Sequence, residues 1–205
     1  MKKKFFKFNR GMTYVELIVV LSISGLIAGV SLFNYKEFQI KVDMKNLAND
    51  IASKIVEAQK NSISGKLPLI SQPSNWKPSY GISFKTINAS TNRNFYLFTD
   101  YMNAGTQDKK VSASDITNCP SGECTQVVTI NNNYYIESIK SYTSGNGTAL
   151  NTPLHITFTR PNSGALFYND TAQIITDYIE IKLSSLNNST KVLIKIYPSG
   201  RVEII

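Results

Sequence analysis

Met12-Thr13-Tyr14-Val15-Glu16-Leu17-Ile18-Val19-Val20-Leu21-Ser22-Ile23-Ser24-Gly25-Leu26-Ile27-Ala28-Gly29-Val30-Ser31-Leu32-Phe33-Asn34-Tyr35 is the stretch on which the fold turns. From Leu17 to Phe33 it carries no charged residue and is rich in Leu, Ile and Val. With Val15 and Tyr35 it approaches the roughly 20 residues that cross a bilayer as a helix. A helix is required there because lipid offers no partners to exposed backbone groups. Just upstream, Lys2, Lys3, Lys4, Lys7 and Arg10 put five positive charges within ten residues and no acid among them. A Lys-rich segment before an apolar run stays on the cytoplasmic side and sets membrane orientation. The rest of the chain holds 17 basic against 14 acidic residues, a net of +3 out of the total of +8. Most of the basicity therefore concerns insertion rather than nucleic acid.

Three readings compete for this segment. A secretory signal peptide would be removed after the apolar run, but Ala28 to Ser31 make a poor cleavage site. A plain signal anchor accounts for the basic flank and not for Glu16. A carboxylate at the start of a membrane helix costs about 2 to 3 kcal/mol if carried to the bilayer centre, so such residues mark function. The third reading accounts for all of it. Arg10-Gly11-Met12-Thr13-Tyr14-Val15-Glu16-Leu17-Ile18 resembles the class III signal of type IV pilins and type II secretion pseudopilins. That resemblance implies a prepilin peptidase that cuts between Gly11 and Met12 and N-methylates Met12. It places Glu16 at the fifth mature position and makes the apolar helix the means of assembly with other pilin or pseudopilin subunits. Met12 departs from the Phe that usually opens the mature chain. A buried carboxylate is tolerated mainly when paired, and the new amine of a neighbouring subunit would supply the partner for Glu16. The rival account of Glu16 is an ordinary flank in the headgroup region.

Past Tyr35, Ile40, Met44, Leu47, Ile51, Ile55 and Ala58 recur at steps of three and four, with charged residues on the other faces. This is the pattern of a helix with one side against a core. Gly65 and Pro68 supply the stop. The expectation is one helix over about Thr13 to Ser64. Beyond it, 80–86, 95–99, 126–130, 134–141, 154–160, 178–183, 191–197 and 201–205 read as short strands, several alternating with period two. Asn, Ser, Gly and Pro clusters separate them. Strands without intervening helices imply an antiparallel sheet, with the amphipathic helix as its cover. The expected fold is therefore α+β and type IV pilin-like: a long N-terminal helix on an antiparallel β-sheet head. Its parts are a basic leader (1–11), a transmembrane and assembly helix (12–35), the amphipathic half of that helix (36–66) and a β-rich head (67–205). Ile194-Lys195-Ile196-Tyr197-Pro198-Ser199-Gly200-Arg201-Val202 is similar to the ending of minor pseudopilins of the GspH and FimT group, and Ile156 to Gly164 fits the same style. This implies a minor subunit.

Nothing in the chain spells an active site, and no cofactor or enzymatic turnover is expected. There is one histidine, His155, and no Gly-x-Ser-x-Gly elbow or phosphate loop. Cys119 and Cys124 flank a short loop with Pro120 and Gly122. Four-residue spacing also occurs in zinc sites, which need further ligands. If the head lies outside the membrane, a local disulfide is the better reading. The loop from Asp100 to Asp108 offers oxygen ligands without EF-hand spacing, and no metal site is assigned. Lys182, Lys191, Lys195 and Arg201 cluster in the expected last strands. Resemblance to FimT-like subunits makes them candidates for DNA phosphates, and solvent-facing strand residues explain them equally well. The expected location is the cytoplasmic membrane, single-pass with the head outside, and then a surface pilus or pseudopilus.

Overall fold

The computed structural model describes residues 11–85, 93–103 and 105–205, with backbone alone for 30–34. The basic leader, Gly11 excepted, lies outside the described residues, as does Thr86 at the end of the first expected strand. The chain forms two compact units, 1–41 and 42–205.

Helix α1 spans Tyr14–Ile63. Thr13 caps it: its Oγ1 accepts from the Glu16 N–H at 3.3 Å, and its carbonyl accepts from the Leu17 N–H at 3.2 Å. One of the four amides that open every helix is thereby satisfied by the side chain. In the second unit, Met44, Ala48, Ile51, Ile55, Ala58 and Ser62 are buried at alternating steps of four and three, one stripe of a 3.6-residue period. Ala48 takes the fully buried place expected of Leu47, which is half-buried. Side chains on the same part of α1 tie it to both sheets. Ser62 Oγ donates to the Pro78 carbonyl (3.1 Å), and Tyr134 Oη donates to Asp43 Oδ2 (3.0 Å). Gly65, with φ of +66°, ends the helix in the left-handed conformation that glycine adopts without strain.

Ten strands follow: β1 Ser79–Phe84, β2 Asn94–Thr99, β3 Cys124–Thr129, β4 Tyr134–Thr143, β5 Asn146–Ala149, β6 Leu154–Thr159, β7 Ala165–Tyr168, β8 Tyr178–Ser185, β9 Lys191–Ile196 and β10 Val202–Ile204. A short helix, α2, covers Ala113–Thr117. All pairings are antiparallel, in two five-stranded sheets ordered β3-β2-β1-β6-β7 and β10-β9-β8-β4-β5.

This corrects the expected pilin-like α+β fold of one long helix on one antiparallel sheet. The head is β-rich, and its strands divide between two sheets. After β3 the chain pairs β4 with the distant β8, while β6 returns to β1. Ten twisted strands in a single open sheet would curl, and splitting relieves that. In the first sheet β1 is buried at every position. Tyr80, Ile82 and Phe84 line one of its faces. Ser79, Gly81 and Ser83 line the other, where the 100–123 segment lies: Thr157, paired with Gly81 on β6, donates through Oγ1 to the Lys109 carbonyl at 2.7 Å. In the second sheet Ile179, Ile181 and Leu183 are buried, while Glu180 and Lys182 between them are half-exposed.

The transmembrane span expected over 12–35, and with it the single-pass membrane location, is also corrected. Among the described residues no helix is long and apolar enough to cross a membrane. The uncharged residues from Leu17 to Gly29, which precede Val30, number 13, against the roughly 20 that a span needs. Val30 to Asn34 fall among the side chains that are not described.

Candidate assembly interface

The first half of α1 presents apolar side chains on every side. Leu17, Ile18, Val19 and Val20 are 45%, 44%, 49% and 46% exposed. At 100° per residue, four consecutive positions cover the helix circumference, so no face of this stretch is sheltered. Leu21, Ile23, Leu26 and Ile27 are exposed as well. A Cβ built on Gly25 or Gly29 would meet nothing within 4 Å, which leaves two small positions where another backbone could come close. Gly11, Met12 and Glu16 are all exposed. Thr13 and Glu16 stand in the S/T-x-x-E spacing of a capping box. A carboxylate at 16 thus stands in the first turn of α1, where negative charge favours a helix.

Cys119 and Cys124 are joined in a disulfide. Cys124, at the start of β3, packs with Tyr96, Phe98, Val111 and Ile116, and Cys119 lies against that cluster. The bond therefore pins α2, capped by Ser112 Oγ at the Asp115 N–H (3.1 Å), onto the outer face of the first sheet. Beneath this layer sit polar groups that no sequence motif announced. Glu123, 5% exposed, accepts from the Tyr101 N–H at 3.0 Å. Burial, reinforced by nearby Asp100, pushes its carboxyl up to about 8. Asp100 is fully buried, and burial raises its carboxyl against the pull of Lys109, whose Nζ lies 3.1 Å from Oδ2. Buried His155 is held below the ordinary imidazole range by desolvation. Its Nε2 lies 3.3 Å from Asp170 Oδ1, and Nδ1 has no partner among the described residues. Of the acids in the 100–108 loop, Asp100 is thus spent on a lysine, and no group of three His, Cys, Asp or Glu among the described residues could hold a metal.

The basic residues of the last strands share one face of the second sheet, and each is engaged. Lys182 and Lys191 both reach Glu137, at 2.9 and 3.2 Å. The hydrogen bond from Lys182 holds the Glu137 carboxyl below its usual range and raises Lys182 in return. Glu137 sits where the β4 register shifts between Ile136 and Ser138, a bend that sequence alternation does not disclose. Arg201 lies 4.0 Å from the Tyr197 ring centre and 3.8 Å from Glu203, and Lys195 lies 5.1 Å from the Tyr178 ring centre. Tyr142 stacks on Tyr178 with centroids 4.7 Å apart, and Tyr178 contacts Tyr197 at 5.7 Å. The other side of Tyr142 lies against Gly147, where an added Cβ would come within 2.8 Å of the ring. The ring faces are thus occupied by one another and by the cations, and the tyrosine hydroxyls of 142 and 197 donate to Glu180 and Glu203. The four basic residues named in the sequence as candidates for DNA phosphates thus lie among acids and tyrosine rings of the same sheet face.

No family model matches the chain, and no match was found among curated proteins or among solved structures.

Proposed function

We propose that this protein is a structural subunit of a filament of the type IV pilus or type II secretion kind, trimmed by a prepilin peptidase between Gly11 and Met12 and assembled through the first half of α1. One observation carries the reading. Eight large apolar side chains between Leu17 and Ile27 stand exposed around the whole circumference of a helix that begins three residues after Gly11. A fully covered aliphatic side chain contributes about 1.5 to 3 kcal/mol. Side chains already half covered contribute about 1 kcal/mol each, so the set supplies on the order of 5 to 10 kcal/mol. That is the size of the entropic cost of association. Helix-to-helix packing among copies or relatives of this chain would cover them, and Gly25 and Gly29 permit close approach. Glu16, exposed in the single chain, would then meet the amine freed at Met12 of a neighbour. The role assigned is mechanical.

The test is intact-mass analysis of protein from cells that hold the peptidase, with filament recovery from the same cells. A chain starting at methylated Met12, and loss of filaments in Leu21→Glu, is the expected result. A chain that keeps Met1, or filaments indifferent to Leu21→Glu, would refute it.

A further inference from the structure

Two turns singled out in the sequence and not used by the assembly reading meet in the fold. The β6–β7 turn, Arg160 to Gly164, lies against the β9–β10 turn at Pro198: the Ala165 N–H donates to the Pro198 carbonyl at 2.8 Å. Gly164 is the residue that allows this contact, since a Cβ there would sit 2.8 Å from the same oxygen. Gln59 of α1 clamps the turn from behind, its Nε2 donating to the Ser163 carbonyl at 2.7 Å. The Arg160 N–H is fixed on the Pro78 carbonyl at 3.0 Å. A cleft of about 580 Å³ opens between these turns, Lys77 and Lys109. That volume is within the range of small-molecule sites.

The charges in the cleft are unequal. Lys109 is matched by buried Asp100 at 3.1 Å. Lys77 and Arg160 are exposed, and among the described residues neither forms an ion pair. The Arg160 guanidinium packs against Gly65, where an added Cβ would lie 2.9 Å from Nη1, so the fork rests on backbone. The rest of the lining mixes apolar Pro161, Leu166 and Pro198 with polar Thr159 and Asn162. A cleft that holds two cations without an acidic partner among the described residues, together with proline and leucine side chains, fits an anion joined to a small apolar body. A guanidinium fork binds a carboxylate in two parallel hydrogen bonds.

We propose that this cleft is a binding site for a small organic acid, its carboxylate held by Arg160 and Lys77 and its apolar body against Leu166 and Pro198. The proposal is independent of the assembly reading. It is tested by calorimetric titration of the full chain with 3-phenylpropionate, its neutral amide and inorganic phosphate. Saturable binding of the acid, about tenfold weaker or absent for the amide and for phosphate, is the expected result. Arg160→Met and Lys77→Met, both surface changes, should each weaken the acid about tenfold and leave the thermal unfolding midpoint unchanged. No saturation by the acid, phosphate bound as tightly as the acid, or acid binding by both variants as tight as by the parent would overturn the proposal.

Discussion

Glu123 makes the stability of the head depend on pH in a direction opposite to that of an ordinary acid. Its carboxyl is buried with one backbone amide as partner, and its proton is held up to about 8 from an ordinary 4.5. The folded state therefore keeps a proton that the unfolded chain has released. A group raised on folding contributes stability that is complete below the unfolded value and is lost as pH climbs through the folded one. Between pH 4.5 and 8 the unfolding free energy should thus fall, with a limiting slope of about 1.4 kcal/mol per unit. Buried Asp100, also raised, acts in the same sense. His155 acts in the other: held low by burial, it is neutral in both states above 6.5, and its contribution is lost only as pH drops below that. Measurements from 6.5 upward isolate the acids. Trp76, the one tryptophan in the chain, is placed to report, because its Nε1–H donates to the Asp100 carbonyl at 2.9 Å. Urea unfolding followed by its fluorescence should show the midpoint falling from pH 6.5 to 8. Glu123→Gln keeps the Tyr101 acceptor and removes the titration. It should flatten most of that fall and exceed the parent at pH 8 by about 2 kcal/mol or more. A parent midpoint unchanged over this range, or a variant with the parent's slope, would refute the reasoning.

Ile55→Ala opens a cavity at a fully buried position of α1 and should cost about 2 to 5 kcal/mol in urea unfolding, whereas Ile27→Ala, exposed in the single chain, should leave the midpoint unchanged. Replacing Cys119 and Cys124 by Ala frees a short loop with a sequence separation of 5. On the loop-entropy estimate this costs about 2 kcal/mol, read as a lower thermal midpoint. Glu137→Gln should lower stability by less than about 1 kcal/mol, since its pairs are partly exposed. It should also strengthen retention on heparin at low salt, because Lys182 and Lys191 lose their shared acid.

The helix was legible because its periodicity is local: Met44, Ile51, Ile55 and Ala58 fall on one face whatever they pack against. The longer strands were legible for the same reason, with 178–183 alternating in sequence as it does in burial. Strands β5 and β7 were not, since each has four residues; Asn146-Gly147-Thr148-Ala149 is exposed throughout and carries no large apolar side chain. The division into two sheets depends on the β4 to β8 pairing across more than thirty residues, which no short-range pattern encodes. The apolar run at 17–33 was visible at once, whereas among the described residues no helix is long and apolar enough to cross a membrane. The disulfide could be argued from spacing. The carboxylates beneath it could not, because burial of Asp100 and Glu123 follows from how the 100–123 segment folds over the sheet.

The outer row Lys140–Glu180–Lys195–Glu203 runs across four strands with its charges alternating. A slip of two residues is the smallest that keeps the isoleucines on the inner side. In one direction it would set Lys140 opposite Lys182 at the first junction, Lys195 opposite Lys182 at the second, and Lys195 opposite Arg201 at the third. Each misalignment brings two cations face to face, a repulsion of a few tenths to one kcal/mol per pair. The row thus works as a combination lock on strand alignment, rejecting near-miss pairings during folding that the greasy side of the sheet alone would accept.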